Sequence, residues 1–128
     1  MRTGPIPTRI ERIELLYWEE CPSYDLALQR LRELLAERQI ATPVRLIEVT
    51  TEQQAEQLHF PGSPTIRIEG QDLFPVPGGP YGLTCRVYRT DDGRVTPLPT
   101  TDMIRKAINR ILRRTQNAES RTQTSQER

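Results

Sequence analysis

The stretch Ile13-Glu14-Leu15-Leu16-Tyr17-Trp18-Glu19-Glu20-Cys21-Pro22-Ser23-Tyr24 changes character in its middle. The apolar run from Ile13 to Trp18 is short, ends in aromatics and stops at two glutamates, which reads as a buried strand. After Cys21-Pro22 the period switches. Tyr24, Leu28, Leu31 and Leu35 recur at i, i+4, i+7 and i+11, and Ala27 and Leu34 widen the stripe. Arg30, Arg32, Glu33 and Glu37 fall on the opposite side, so this is an amphipathic helix. Pro22 suits its first turn, where a missing N–H costs nothing. A strand therefore runs straight into a helix, with a cysteine at the junction.

The same alternation continues downstream. Val44-Arg45-Leu46-Ile47-Glu48-Val49 is a second strand. Thr51-Glu52-Gln53-Gln54 has the form of a capping box and opens a short helix ending near Leu58 to Phe60. Pro61-Gly62-Ser63-Pro64 breaks the chain, and Thr65 to Glu69 alternates as a third strand with Ile66 and Ile68 on one face. Gln71 to Thr84 holds Gly or Pro at six of fourteen positions and reads as a long loop. Cys85-Arg86-Val87-Tyr88-Arg89 is expected as a fourth strand. Asp92-Gly93 marks a hairpin turn, and Arg94 to Leu98 would return as a short fifth. A last helix follows Pro99, with Ile104, Ala107, Ile108 and Ile111 as its apolar face and Met103 and Leu112 beside it. The order β-α-β-α-β-β-(β)-α predicts an α/β domain. Its first two strands are parallel and joined by a right-handed crossover. A terminal hairpin makes its four- to five-stranded sheet mixed, and helices flank both faces.

The ends differ from this middle. Residues 1–10 contain Gly4, Pro5 and Pro7 without periodicity and read as a flexible segment. Residues 115–128 carry Ala118 as their only apolar residue and are expected as a disordered polar tail. One domain over 11–114 remains, which suits a chain of 128 residues. The net charge of +1 argues against a nucleic-acid binder working by phosphate neutralisation. Arg110, Arg113 and Arg114 end the last helix, where cations suit the dipole. No run approaches a membrane span, and Arg2 has no apolar segment behind it, so the expected location is the cytoplasm. Two cysteines are too few for a disulfide-stapled secreted domain.

Cys21 is the first candidate for chemistry. At a strand–helix junction, free N–H groups and the helix dipole favour a thiolate. Glu19, Glu20 and Asp25 oppose a further negative charge nearby, so the net direction stays open. A small buried cysteine is the plain alternative. Cys85 reads equally as a buried strand residue. Tyr24 begins the helix stripe and has packing as its plain role. His59, the only histidine, lies near Pro64 in sequence and could serve as a base, with a helix-end position as the alternative. A four-ligand Cys/His zinc site is not available within one chain. Gly78-Gly79 lacks the lysine and helix of a phosphate loop.

Trp18-Glu19-Glu20-Cys21-Pro22-Ser23-Tyr24 followed, after a helix, strand and helix, by Gly62-Ser63-Pro64-Thr65-Ile66 resembles the thioredoxin-like superfamily. The similarity covers about residues 11 to 112. It implies that Cys21 is the nucleophile of thiol–disulfide chemistry and that Pro64 is a cis-proline. Ser63 would offer backbone groups to an extended substrate, with Pro22, Tyr24 and Thr65 completing the contact surface. It implies a small thiol or a protein disulfide as substrate, and no cofactor. Tyr24 stands where the family has its second cysteine, so Cys85, 64 residues away, is the only thiol that could resolve a mixed disulfide. The chain is also similar to small bacterial proteins labelled alkylmercury lyase-like, through Cys85-Arg86-Val87-Tyr88 and Pro99-Thr100. That likeness implies soft-metal binding by Cys21 and Cys85, with Asp91 or Asp92 as an acid. A scaffold without thiol chemistry is the third expectation.

Overall fold

The computed structural model describes the backbone of residues 10–126 and the side chains of residues 10–114. The elements are β1 (Ile13–Tyr17), α1 (Tyr24–Glu37), β2 (Val44–Glu48), α2 (Glu52–Gln57), β3 (Thr65–Ile68), β4 (Gln71–Asp72), β5 (Tyr88–Arg89), β6 (Val95–Thr96) and α3 (Thr101–Gln126). Four strands form one mixed sheet in the order β2-β1-β3-β4. β1 runs parallel to β2 and antiparallel to β3, and β3 runs antiparallel to β4.

Alternation along β1 divides the interior in two. Ile13 and Leu15, with Ile66 and Ile68 of β3, meet Leu28, Leu31 and Leu35 of α1 and Ile104 and Ile108 of α3. Leu16 points the other way, to Val49, Ala55 of α2 and Phe60. Helices therefore cover both faces: α1 and α3 one, α2 the other. The pairing of Leu15 with Ile66 and of Leu16 with Thr65 keeps the two sets in register.

Local chemistry sets the helix ends. Thr51 caps α2 by accepting from the Gln54 N–H at 3.0 Å, while Gln54 Oε1 accepts from the Thr50 N–H at 2.9 Å, one residue before the cap. Both α1 and α2 stop in Schellman motifs. Ile40 N–H reaches Leu35 O and Phe60 N–H reaches Ala55 O, with Gln39 (φ 58°) and His59 (φ 52°) as the left-handed residues between. Helix ending thus explains His59, and Phe60 is folded back onto Ala55 as a result.

Several elements differ from the sequence expectation. The fourth strand of the sheet is Gln71–Asp72, not the segment containing Cys85. Glu69 (φ 53°) and Gly70 (φ 81°) make a two-residue turn with positive φ at both positions, the geometry of a tight hairpin. Glu at the first of them hid the signal, since Asn or Asp is usual there. The Asp92-Gly93 turn does form a hairpin, but β5 and β6 make a separate two-stranded sheet. Ile10 is buried among the core residues rather than part of a flexible lead, and the rest of that lead lies outside the described residues. The α3 backbone stays helical to Gln126, beyond Arg114 where the domain was expected to end. Intrahelical hydrogen bonds need no apolar face, and Gln, Glu, Arg and Ala are good helix formers.

Gln39 is exposed and holds a conformation that costs an L-residue about 1–2 kcal/mol. Glycine relieves that cost but carries more unfolded-state entropy. Gln39→Gly is expected to raise stability by about 0.5 kcal/mol, read as a higher urea midpoint with an unchanged slope.

Candidate functional site

The site forms where the turn after β1 meets the segment entering β3. Cys21 N–H closes the turn on Trp18 O at 3.0 Å. Cys21 is fully buried, and its thiol donates to the Ser63 carbonyl oxygen at 3.4 Å. α1 begins at Tyr24 with Ser23 as its N-cap, so Pro22 belongs to the preceding turn rather than to the first helical turn. Tyr24 stacks on Tyr17 with ring centroids 4.3 Å apart, which gives it the packing role. Burial and the carboxylates of Asp25 and Glu19 raise its phenol above the ordinary range.

Ser63, Pro64 and Thr65 are all buried, and the Ser63–Pro64 peptide bond is cis, as is Gly79–Pro80. The backbone of Ser63 was expected to receive substrate. It is engaged within the chain instead. Ser63 N–H donates to Thr84 O at 2.8 Å, and Ser63 O accepts from Arg86 N–H at 2.8 Å. These two bonds make a parallel bridge between Ser63 and Cys85. The bridge carries the Gly/Pro-rich loop back across the site as a strap. Gly62, at φ 139°, lies against it: a Cβ there would stand 3.0 Å from the Arg86 Cβ.

The bridge places Cys85 beside Cys21. The Cys85 thiol is pushed up to about 11, first by the neighbouring Cys21 thiol and then by partial desolvation. Both cysteines are free thiols. Cys85 itself is exposed and Arg86 is buried, the reverse of what a buried-strand reading of Cys85 requires.

Sequence reasoning missed Arg86. Its side chain is 4% exposed. Nη1 donates to Asp72 Oδ2 at 2.9 Å and to Thr65 Oγ1 at 3.1 Å, and Nη2 donates to Phe74 O. The guanidinium also lies 4.7 Å from the centre of the Tyr88 ring. Tyr88 in turn donates its hydroxyl to Pro64 O, and burial raises its phenol far above the ordinary range. The alternating pattern was visible in Cys85-Arg86-Val87-Tyr88. The plain reading put Cys85 on the buried side, whereas Arg86 and Tyr88 are the buried pair.

Other candidates lie apart from this cluster. His59 packs its ring edgewise on Tyr81, at 5.0 Å between centroids. Asp91 pairs with Lys106 at 2.8 Å and Asp92 with Arg94 at 3.1 Å, both in or beside the β5–β6 turn. Among the described residues no group of three or more His, Cys, Asp or Glu is placed to hold a metal ion. Among them also no helix is long and apolar enough to cross a membrane. Comparison with known proteins finds no match to a family, to a curated protein or to a solved structure.

The shift at Cys85 has a defined sign. Its folded value lies above the ordinary 9.0, so the folded chain keeps a proton that the unfolded chain loses. Stability from this group is complete below pH 9.0 and is lost as pH rises through about 11. In the native protein, iodoacetamide alkylation of Cys85 is expected to climb about tenfold per pH unit until that value. Cys21→Ala removes the neighbouring thiol. The midpoint of the Cys85 alkylation profile should then fall back toward 9.0.

Proposed function

We propose that this chain is a thioredoxin-like thiol–disulfide oxidoreductase in which Cys21 and Cys85 form the exchanging pair. The backbone bridge from Ser63 to Cys85, with the Cys21 thiol bonded to the same Ser63 carbonyl, carries the reading, because it brings the two cysteines together. Its frame is supported by the sheet order β2-β1-β3-β4, by helices on both faces, and by a cysteine in the turn between β1 and α1. The second cysteine, absent from the motif, comes from the strap instead.

The exchange balances as follows. One cysteine sulfur attacks a substrate disulfide RS–SR, a protein–SR mixed disulfide forms, and one RSH leaves with the proton of the attacking thiol. The other cysteine sulfur then attacks the mixed disulfide, the Cys21–Cys85 bond closes and the second RSH leaves with its proton. Two electrons pass from the protein to the substrate, and the reverse sequence oxidises two thiols. Suitable substrates are small thiols and protein disulfides. A reducing cytoplasm would keep the pair in the thiol form.

Mild oxidation of the full chain should remove two hydrogen atoms from the intact mass and leave Cys21 and Cys85 in one cross-linked peptide. Cys21→Ser and Cys85→Ser should each abolish that cross-link and lower disulfide turnover at least tenfold. Turnover equal to wild type in both variants would remove the oxidoreductase reading.

A second reading draws on the same pair. Two adjacent thiols can supply two sulfur ligands to a soft cation. Hg(II) added to the full chain should give a one-to-one adduct by native mass spectrometry, displacing two protons and lost when either cysteine becomes serine. An adduct of equal strength in both serine variants would remove this reading.

A further inference from the structure

Access to the dithiol is one-sided. Cys21 is 0% exposed, enclosed by its own turn and the Ser63 carbonyl, whereas Cys85 is exposed. Cys85 also lines a cavity of about 420 Å³ under the strap, together with Pro61, Val76, Pro80, Tyr81 and Val87. The lining is mostly apolar, and Val76 and Val87 are unusually open for their type at 49% and 68% exposure. An extended peptide cannot pair with Ser63 while Thr84 and Arg86 hold both its backbone groups.

We infer that the mixed disulfide is carried on Cys85, with Cys21 as the resolving thiol, and that the substrate is a small apolar disulfide or thiol whose organic group lies in this cavity. The inference rests on the proposed thiol–disulfide activity and assigns the order of its two cysteines, opposite to the order expected from sequence.

Access gives the same order in both directions. In the oxidised protein an incoming thiolate can reach the exposed sulfur, Cys85, and expel Cys21. A second thiolate then attacks the substrate sulfur of the mixed disulfide, releasing RS–SR and Cys85 as a thiol. Microscopic reversibility gives the reductive direction. Cys85 loses its proton to solvent and attacks RS–SR. Cys21 then attacks the Cys85 sulfur and expels RS⁻, which takes up a proton. One apolar group in the cavity serves both directions.

The test uses the full chain and 2,2′-dipyridyl disulfide, a small apolar aromatic disulfide whose released thione is followed by absorbance. In Cys21→Ser, one thiopyridyl group should be found on Cys85 by peptide mapping. Cys85→Ser should be labelled on Cys21 at least tenfold more slowly. Labelling of Cys21 in Cys85→Ser as fast as that of Cys85 in Cys21→Ser would overturn the order. Val76→Gln and Val87→Gln, both neutral changes at exposed positions, should slow the reaction with dipyridyl disulfide about tenfold while changing that with oxidised glutathione less than twofold. An equal change for both disulfides, or none for either, would overturn the apolar site. Loss of the Cys21–Cys85 cross-link in oxidised wild type would instead remove the underlying activity, whatever the labelling order.

Discussion

The peptide groups of Ser63 hold two parts of the chain together. Its N–H is bonded to Thr84, and its carbonyl serves both the Arg86 N–H and the Cys21 thiol. A backbone segment at the mouth of a sheet normally presents such groups to solvent or to a partner, and leaving them buried without partners would cost free energy. Here the chain satisfies them with its own strap. That choice sets the position of Cys85, turns Arg86 inward and encloses Cys21. The Ser63 hydroxyl, buried without a hydrogen-bond partner among the described residues, shows that the backbone rather than the side chain does the holding.

Arg86 gives the strap its anchorage. Taking a guanidinium out of water is expensive, and the cost is recovered only when most of its donors find acceptors. Asp72 supplies the countercharge, Thr65 and Phe74 supply oxygens, and Tyr88 supplies a ring face. Asp72 is itself fixed, because its other oxygen accepts from the Phe74 N–H at 2.8 Å. β4, although two residues long, thus has a definite role: it brings Asp72 to the point where the strap returns. Only Nε of Arg86 lacks a partner among the described residues.

The parts of the fold that repeat were legible in the sequence. The stripe from Tyr24 to Leu35 predicted α1, and the Thr51–Gln54 pattern predicted the cap of α2, because both depend on residues within a few positions of one another. The β4 hairpin was not legible, since Glu69 is an atypical residue for its turn. The buried-strand alternative for Cys85 fails for a related reason. Strand alternation tells which residues share a side, but not which side is buried. A valine and a cysteine are the ordinary inward choice only where no countercharge waits for an arginine.

Local periodicity and capping chemistry therefore determined the helices, the central strands and the cysteine at the strand–helix junction, since those depend on neighbours in sequence. Tertiary structure alone decided that Cys85 meets Cys21. The 64 residues between them close through the bonds of Ser63 with Thr84 and Arg86 and through the pairing of Arg86 with Asp72. Each of those contacts joins residues at least fourteen positions apart, and no local pattern encodes which distant acceptor a buried donor will find.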